Sequence, residues 1–161
     1  MVEKLILLIL GLLLIISFYT DVKDRKILNV ITLPAIVLGF LLNLIVGDTI
    51  LSGLLFSVYG IMLGFIILFI PYIMGGIGAG DVKLLMAIGA LMGPRFTFYT
   101  AIYMGLIGGV LAAFQLIKAK RLIFTIKKIL YLNKVDNDEF ENTIPYGVAI
   151  TLGAVLTYIF I

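Results

Sequence analysis

The chain alternates long apolar runs with short polar breaks, and it contains six such runs. A helix that crosses the hydrocarbon core of a bilayer needs about 20 mostly apolar residues. The pattern therefore predicts an all-α, polytopic membrane protein with six transmembrane helices in one membrane-embedded domain over residues 1–161. The predicted spans are 2–20, 30–46, 50–70, 81–93, 96–117 and 145–161, and the loop before the last span covers 118–144.

The amino-acid composition indicates that the solvent of this chain is a lipid bilayer. Hydrophobic residues make up 63% of the sequence and charged residues only 13%, whereas a typical soluble domain has about 25% charged residues. The chain has no cysteine and no histidine, which excludes disulfides, thiolate zinc sites, cysteine nucleophiles and histidine bases. We expect no metal ion and no cofactor, so proton chemistry falls to Asp, Glu, Lys or Tyr.

The first span stands where a signal peptide would stand. Its apolar core is long, Glu3 weakens the charged start, and the polar stretch 21–26 follows it in place of a small-residue cleavage site. These features are typical of a stop-transfer segment, and we expect a retained helix.

Positive charges set the expected orientation, because cytoplasmic loops of membrane proteins carry an excess of Lys and Arg. With both termini outside, ten of the 12 Lys and Arg residues lie on the cytoplasmic side. The net charge of +3 therefore indicates basic inner loops rather than a nucleic-acid partner. Residues 118–134 have the pattern of a basic amphipathic helix on the inner leaflet. The acidic stretch 136–141 either stays solvated or recruits a basic segment of a substrate.

Two aspartates stand at boundaries between apolar and polar sequence. Asp21 closes the first apolar run and Asp81 opens the fourth, with one helix out and one helix back between them. Both carboxyl groups are therefore expected at the same membrane face, on different helices. Neighbouring carboxyl groups share a proton, because both cannot readily ionise side by side. Such a pair can activate water and polarise a peptide carbonyl, which is aspartyl proteolysis and needs no histidine, cysteine or metal.

The second aspartate follows a glycine-rich stretch, "GGIGAGD", at residues 75–81. Glycine tolerates positive φ and lets another chain approach its backbone closely. Non-helical backbone at membrane depth is tolerated only beside protein or a water-filled cavity. Gly75, Gly76, Gly78 and Gly80 therefore predict a tight loop beside a wet cleft that a substrate strand can approach.

At these residues the sequence resembles a known family. "GAGD" at 78–81 looks like the G-x-G-D motif of intramembrane aspartyl proteases. The longer "GAGDVKLLMAIGALMG" at 78–93 is similar to the signature of the type IV prepilin peptidases, including archaeal preflagellin peptidases. "TDVKDRKILN" at 20–29 resembles the first-aspartate motif of that family, and "IPYGVAITLG" at 144–153 is similar to the last helix of its short, Flp-type members.

The resemblance implies roles for five residues. Asp21 and Asp81 match the two catalytic aspartates. Gly78 and Gly80 match the motif glycines, and Lys83 matches a lysine common after the second aspartate. The implied protein is an aspartic endopeptidase in the cytoplasmic membrane of a prokaryote. Its implied substrates are prepilin-like or preflagellin-like membrane proteins, whose short basic leader is cut at the cytoplasmic face.

The chain departs from the family pattern in three places. Leu28 stands where proline is usual in the Ile-Pro-Asn part of the first motif. The cysteine-rich cytoplasmic insertion of the long bacterial members is missing from the sequence, and so is their extra N-terminal domain. We therefore expect protease activity without the N-methyltransferase activity that the long members also have.

Simpler interpretations remain open for the individual residues. Asp81 could serve only as a helix cap, and Asp21 or Lys83 as an anchor at the membrane surface. Asp24 lies one helical turn beyond Asp21 among basic residues, so we expect a solvated member of ion pairs rather than a member of the dyad. Glycines spaced four apart, at 60 and 64, 89 and 93, and 105 and 109, are expected to let helices pack closely.

Two other functions compete with the peptidase interpretation. A small proton-coupled carrier could use Asp21 and Asp81 as proton sites, although carriers place such groups near the middle of the membrane. A G-x-G-D enzyme of the presenilin kind would have a tyrosine before its first aspartate and a Pro-Ala-Leu motif. Here Thr20 precedes Asp21 and that motif is absent. The sequence does not fix an oligomeric state.

Overall fold

The computed structural model of this protein describes residues 2–118 and 146–161. Within these ranges the chain is all-α, as predicted, and forms five helices. The predicted amphipathic helix and the acidic stretch after residue 118 lie outside the described residues. The helices are α1 (Val2–Asp24), α2 (Asn29–Val46), α3 (Ile50–Ile73), α4 (Ala79–Lys118) and α5 (Tyr146–Phe160).

Four of the described helices, α1 to α4, are long and apolar enough to cross a membrane, and α5 is a shorter apolar helix of 15 residues. Large apolar side chains project from these helices without protein partners, among them Ile15 and Val30. Such surfaces are stable only in lipid, because water penalises exposed apolar area of this extent. The protein is therefore a multi-pass membrane protein.

The range of α4 comprises two helical segments that meet at Gly93 and correspond to the fourth and fifth predicted spans. The boundary predicted between these spans falls on a kink at Gly93, which has φ 76° and ψ −178° and precedes Pro94. Glycine adopts this positive φ without the steric cost that a Cβ would add. The Gly-Pro pair therefore separates two helical segments at the boundary that the sequence pattern predicted.

Buried polar side chains satisfy the backbone at this kink. Pro94 has no N–H, so it cannot donate the usual helical hydrogen bond to the carbonyl oxygen of Ala90. The Asn43 amide donates to this oxygen at 2.8 Å and to that of Leu91 at 3.2 Å, and the Ser57 hydroxyl donates to Ala90 at 3.0 Å. In a bilayer each unsatisfied backbone group costs several kcal/mol. The donors from α2 and α3 therefore stabilise the carbonyl groups that have no partner within α4.

Helix α4 lies at the centre of the bundle and contacts every other described helix. Glycines let it approach α3 closely, since a methyl group on Gly60 would overlap the carbonyl group of Gly89. A Cβ on Gly64 would lie 2.9 Å from the backbone of Leu85. These contacts confirm the expected close packing at Gly60 and Gly64. The Gly105 position differs, because a Cβ there would meet nothing within 4 Å among the described residues.

Candidate active site

Asp21 lies in the last turn of α1, with only 5% of its surface exposed. The helix ends at Asp24, and Arg25 follows with φ 50°. The Arg25 N–H donates to the Asp21 carbonyl oxygen at 3.0 Å. This hydrogen bond is typical of a helix C-terminus that is followed by a residue with left-handed (αL) backbone angles. This cap turns the chain back, so that Ile27 reaches the same region as the Asp21 side chain. Asp24, by contrast, is exposed.

Asp81 is the third residue of α4 and is half-buried. Its Oδ2 accepts a hydrogen bond from the backbone N–H of Gly78 at 3.1 Å. A side chain at this position that reaches back to the residue before the helix forms one half of a capping box. The capping role is therefore present, and it leaves the second carboxylate oxygen of Asp81 for other contacts.

Both carboxyl groups line one cavity of about 320 Å³ at the end of the bundle where α1 ends and where α2 and α4 begin. A polar cavity of this volume is large enough to hold water. The lining residues are Asp21, Arg25, Lys26, Ile27, Leu28, Asn29, Gly78, Gly80 and Asp81.

The cavity combines two carboxyl groups with two cationic residues at its rim, Arg25 and Lys26. Within residues 2–118 and 146–161, no group of three or more His, Cys, Asp or Glu residues could hold a metal ion. The carboxyl groups among the lining residues of this cavity are those of Asp21 and Asp81.

The four glycines of the 75–81 stretch have different positions in the structure. Gly75 ends α3 with φ 76°, and its N–H donates to the Tyr72 carbonyl while the Gly76 N–H donates to the Pro71 carbonyl, both at 3.0 Å. This pair of bonds is a Schellman motif. Of the four, only the two glycines that match the family motif line the cavity, namely Gly78 and Gly80.

Gly80 brings the start of α4 against the chain that follows α1. A Cβ at this position would lie 3.0 Å from the Ile27 Cβ and 3.1 Å from the Ile27 carbonyl oxygen. Such contacts are tighter than ordinary packing, and the neighbouring backbone would have to shift. A Cβ on Gly78 would lie 3.2 Å from the Asp81 Oδ2. Gly80 therefore allows α4 to approach Ile27, and Gly78 allows the Asp81 carboxyl group to lie against the backbone before α4.

Lys83 does not line the cavity, but it contacts a residue that does. Its Nζ donates to the Asn29 Oδ1 at 2.9 Å, which joins the first turn of α4 to the first residue of α2. Asn29 closes the "TDVKDRKILN" stretch, so its place in the motif was a signal that it belongs near the site. Its pairing with Lys83 could not be predicted from the two motifs.

The N-terminal part of α5 also reaches Asp21, which sequence reasoning missed. The backbone N–H of Val148 donates to the Asp21 Oδ2 at 2.9 Å. Gly147 lies directly against the carboxyl group, since a Cβ there would be 2.8 Å from both Cγ and Oδ2 of Asp21. The available signal was the glycine that follows Pro145 and Tyr146 at the start of the last apolar run.

Comparison with family models gives one match. Residues 8–113 match the model of the type IV leader peptidase family, and this range covers more than half of the chain. It includes both aspartates that line the cavity, together with Gly78, Gly80 and Lys83. The comparisons with curated proteins and with solved structures found no match. With two carboxyl groups facing one cavity inside the matched range, the chain belongs to the type IV leader peptidase family.

Proposed function

We propose that this protein is a membrane aspartyl endopeptidase that removes the short basic leader from prepilin-like or preflagellin-like proteins. The observation that carries the proposal is the shared cavity of Asp21 and Asp81, which come from different helices. Membership of the type IV leader peptidase family supports leader peptide cleavage as the reaction.

The proposed mechanism uses the two carboxyl groups in different protonation states. The ionised carboxylate takes a proton from a water molecule, and the water oxygen forms a bond to the carbonyl carbon of the scissile peptide. The protonated carboxyl group donates a hydrogen bond to the carbonyl oxygen, where negative charge develops. The C–N bond then breaks, and a carboxyl group returns a proton to the leaving amine. Water is consumed, and one new carboxyl and one new amino terminus are formed.

The proposed orientation places this cavity on the cytoplasmic side of the cytoplasmic membrane, with both termini outside. The C-terminal end of α1 and the N-terminal ends of α2 and α4 line the cavity, so they lie at one end of the bundle. Lys23, Arg25 and Lys26 lie at this end, and such an excess of cations is typical of cytoplasmic loops. We further propose that the enzyme has no N-methyltransferase activity.

A cleavage assay in detergent or proteoliposomes tests the proposal, with a prepilin that carries a basic leader as substrate. Asp21→Asn and Asp81→Asn should abolish cleavage, because asparagine keeps the size of the side chain but cannot exchange a proton. Asp24→Asn is the matched control, since Asp24 is exposed three residues from Asp21, and it should still cut. A wild-type enzyme that never cuts, or active Asp21→Asn and Asp81→Asn variants, would overturn the proposal.

A further inference from the structure

We propose that the first turn of α5, through Gly147 and the Val148 amide, positions Asp21 for catalysis. This inference rests on the proposed function of Asp21 as one of two catalytic carboxyl groups. Gly147 and Val148 lie outside the residues that match the family, and 127 positions separate Val148 from Asp21 in sequence. They act through Asp21, and are therefore positioning residues rather than catalytic residues.

The first observation is the hydrogen bond from the Val148 N–H to the Asp21 Oδ2, at 2.9 Å. Amide groups in the first turn of a helix have no acceptor within that helix, and they carry a partial positive charge. Asp21 supplies this acceptor from α1, in the way that a capping side chain does. The bond fixes one carboxylate oxygen of Asp21 at a defined place.

The second observation is the absence of space beside Gly147, which is itself buried. A Cβ at this position would lie 2.8 Å from the Asp21 Cγ and Oδ2, and 2.8 Å from the Ile27 Cδ1. Because carbon atoms of separate side chains do not approach this closely, any larger residue must displace Asp21 or Ile27. Glycine is therefore required for the observed position of the carboxyl group.

The third observation is the path that connects Asp21 to the helix of Asp81. α1 packs more extensively against α2 and α5 than against α4. α5 in turn packs extensively on α4, and a buried hydrogen bond of 3.2 Å joins Thr100 to Thr157. The carboxyl group of Asp21 is thus held relative to α4 through α5 as well as through α2. A shift of α5 would change the distance between the two carboxyl groups.

Steady-state kinetics of Gly147→Ala test this inference in the full-length enzyme with a prepilin substrate. We expect kcat to fall by roughly 10- to 100-fold with KM little changed, because small displacements of a catalytic group cost about this much. Gly39→Ala is the matched control, since a Cβ there would lie 2.8 Å from the backbone of Ala90, away from the cavity. It should lower thermal stability at least as much but leave kcat within about twofold per folded molecule.

A second variant removes the donor without adding bulk. Replacing Val148 by its α-hydroxy acid converts the amide to an ester, which keeps the side chain and deletes the N–H. This ester should also lower kcat selectively, even if Gly147→Ala does not fold. An unchanged kcat in the ester variant, or a loss in Gly147→Ala no greater than in Gly39→Ala, would overturn the positioning role. A wild-type enzyme that does not cleave would instead overturn the proposed function.

Discussion

Lys83 donates a hydrogen bond of 2.9 Å to Asn29, a residue 54 positions earlier in the chain. The bond joins the two sequence motifs that contain Asp21 and Asp81. Asn29 begins α2 and lines the cavity, and Lys83 stands half a turn beyond Asp81 in α4. The hydrogen bond of Lys83 therefore links the start of α2, which lines the cavity, to α4, which carries Asp81.

Lys83→Met should reduce cleavage by a few-fold, because it removes the ammonium donor and keeps most of the length of the side chain. Asn29→Ala should have a similar effect. Residues that act through one shared bond are not additive, so the double variant should lose no more activity than the worse single variant. Additive losses in a double-mutant cycle of kcat/KM would show that the two side chains act independently.

The proposed role of Asp81 in cleavage and its role as a helix cap can be separated by comparing Asp81→Asn with Asp81→Ala. Asp81→Asn retains an oxygen that can accept from Gly78, so it should lose cleavage and keep the stability of the wild type. Asp81→Ala should lose cleavage and also about 1 kcal/mol of stability, since the capping acceptor is removed. Thermal unfolding of both variants in the same detergent measures the difference. Equal stabilities would mean that the Gly78 bond contributes nothing to folding.

Asn43→Ala should destabilise the protein by about 1–3 kcal/mol. It removes the donor for the Leu91 carbonyl and one of two donors for the Ala90 carbonyl, and it leaves buried acceptors without partners. Ser57→Ala is the comparison variant, because Asn43 would still donate to Ala90. Ser57→Ala should lower the free energy of unfolding by less than Asn43→Ala does in the same assay. The reverse ranking of these two variants would contradict the capping of the kink by Asn43.

Gly60→Ala should destabilise the α3–α4 contact by about 1–3 kcal/mol, because the added methyl group overlaps the backbone of Gly89 and no side chain can move aside. Gly105→Ala is a matched control within a helix. A Cβ there meets nothing within 4 Å among the described residues, so this variant should be neutral or slightly stabilising. Comparable unfolding temperatures for both variants would show that α3 and α4 can separate at little cost.

The sequence predicted the all-α class and the two aspartates that share the cavity, for a physical reason. A carboxylate next to an apolar run is conspicuous, and counting spans places Asp21 and Asp81 at one membrane face. Gly105 and Gly109 show the limit of such patterns, because they have the spacing of Gly60 and Gly64 but no helix against them among the described residues. The four-residue spacing shows that two glycines lie on the same face of a helix. It does not show whether another helix packs against that face.

The contacts of α5 could not be predicted in the same way. The Asp21 carboxyl group is bound by a backbone N–H, and every residue except proline has one, so Val148 carries no distinguishing side chain. The break at Gly93 and Pro94 was expected from the sequence, but the side chains that cap it were not. They are Asn43 and Ser57, which lie more than 30 residues earlier in the chain.

The bend in α4 is a permanent shape rather than a flexible joint. Straightening the helix at Pro94 would restore no hydrogen bond to Ala90, because proline has no hydrogen to donate. It would also break the bonds from Asn43 and Ser57, which have no water to replace them within a bilayer. The two helical segments of α4 that meet at Gly93 are thus held at a fixed angle.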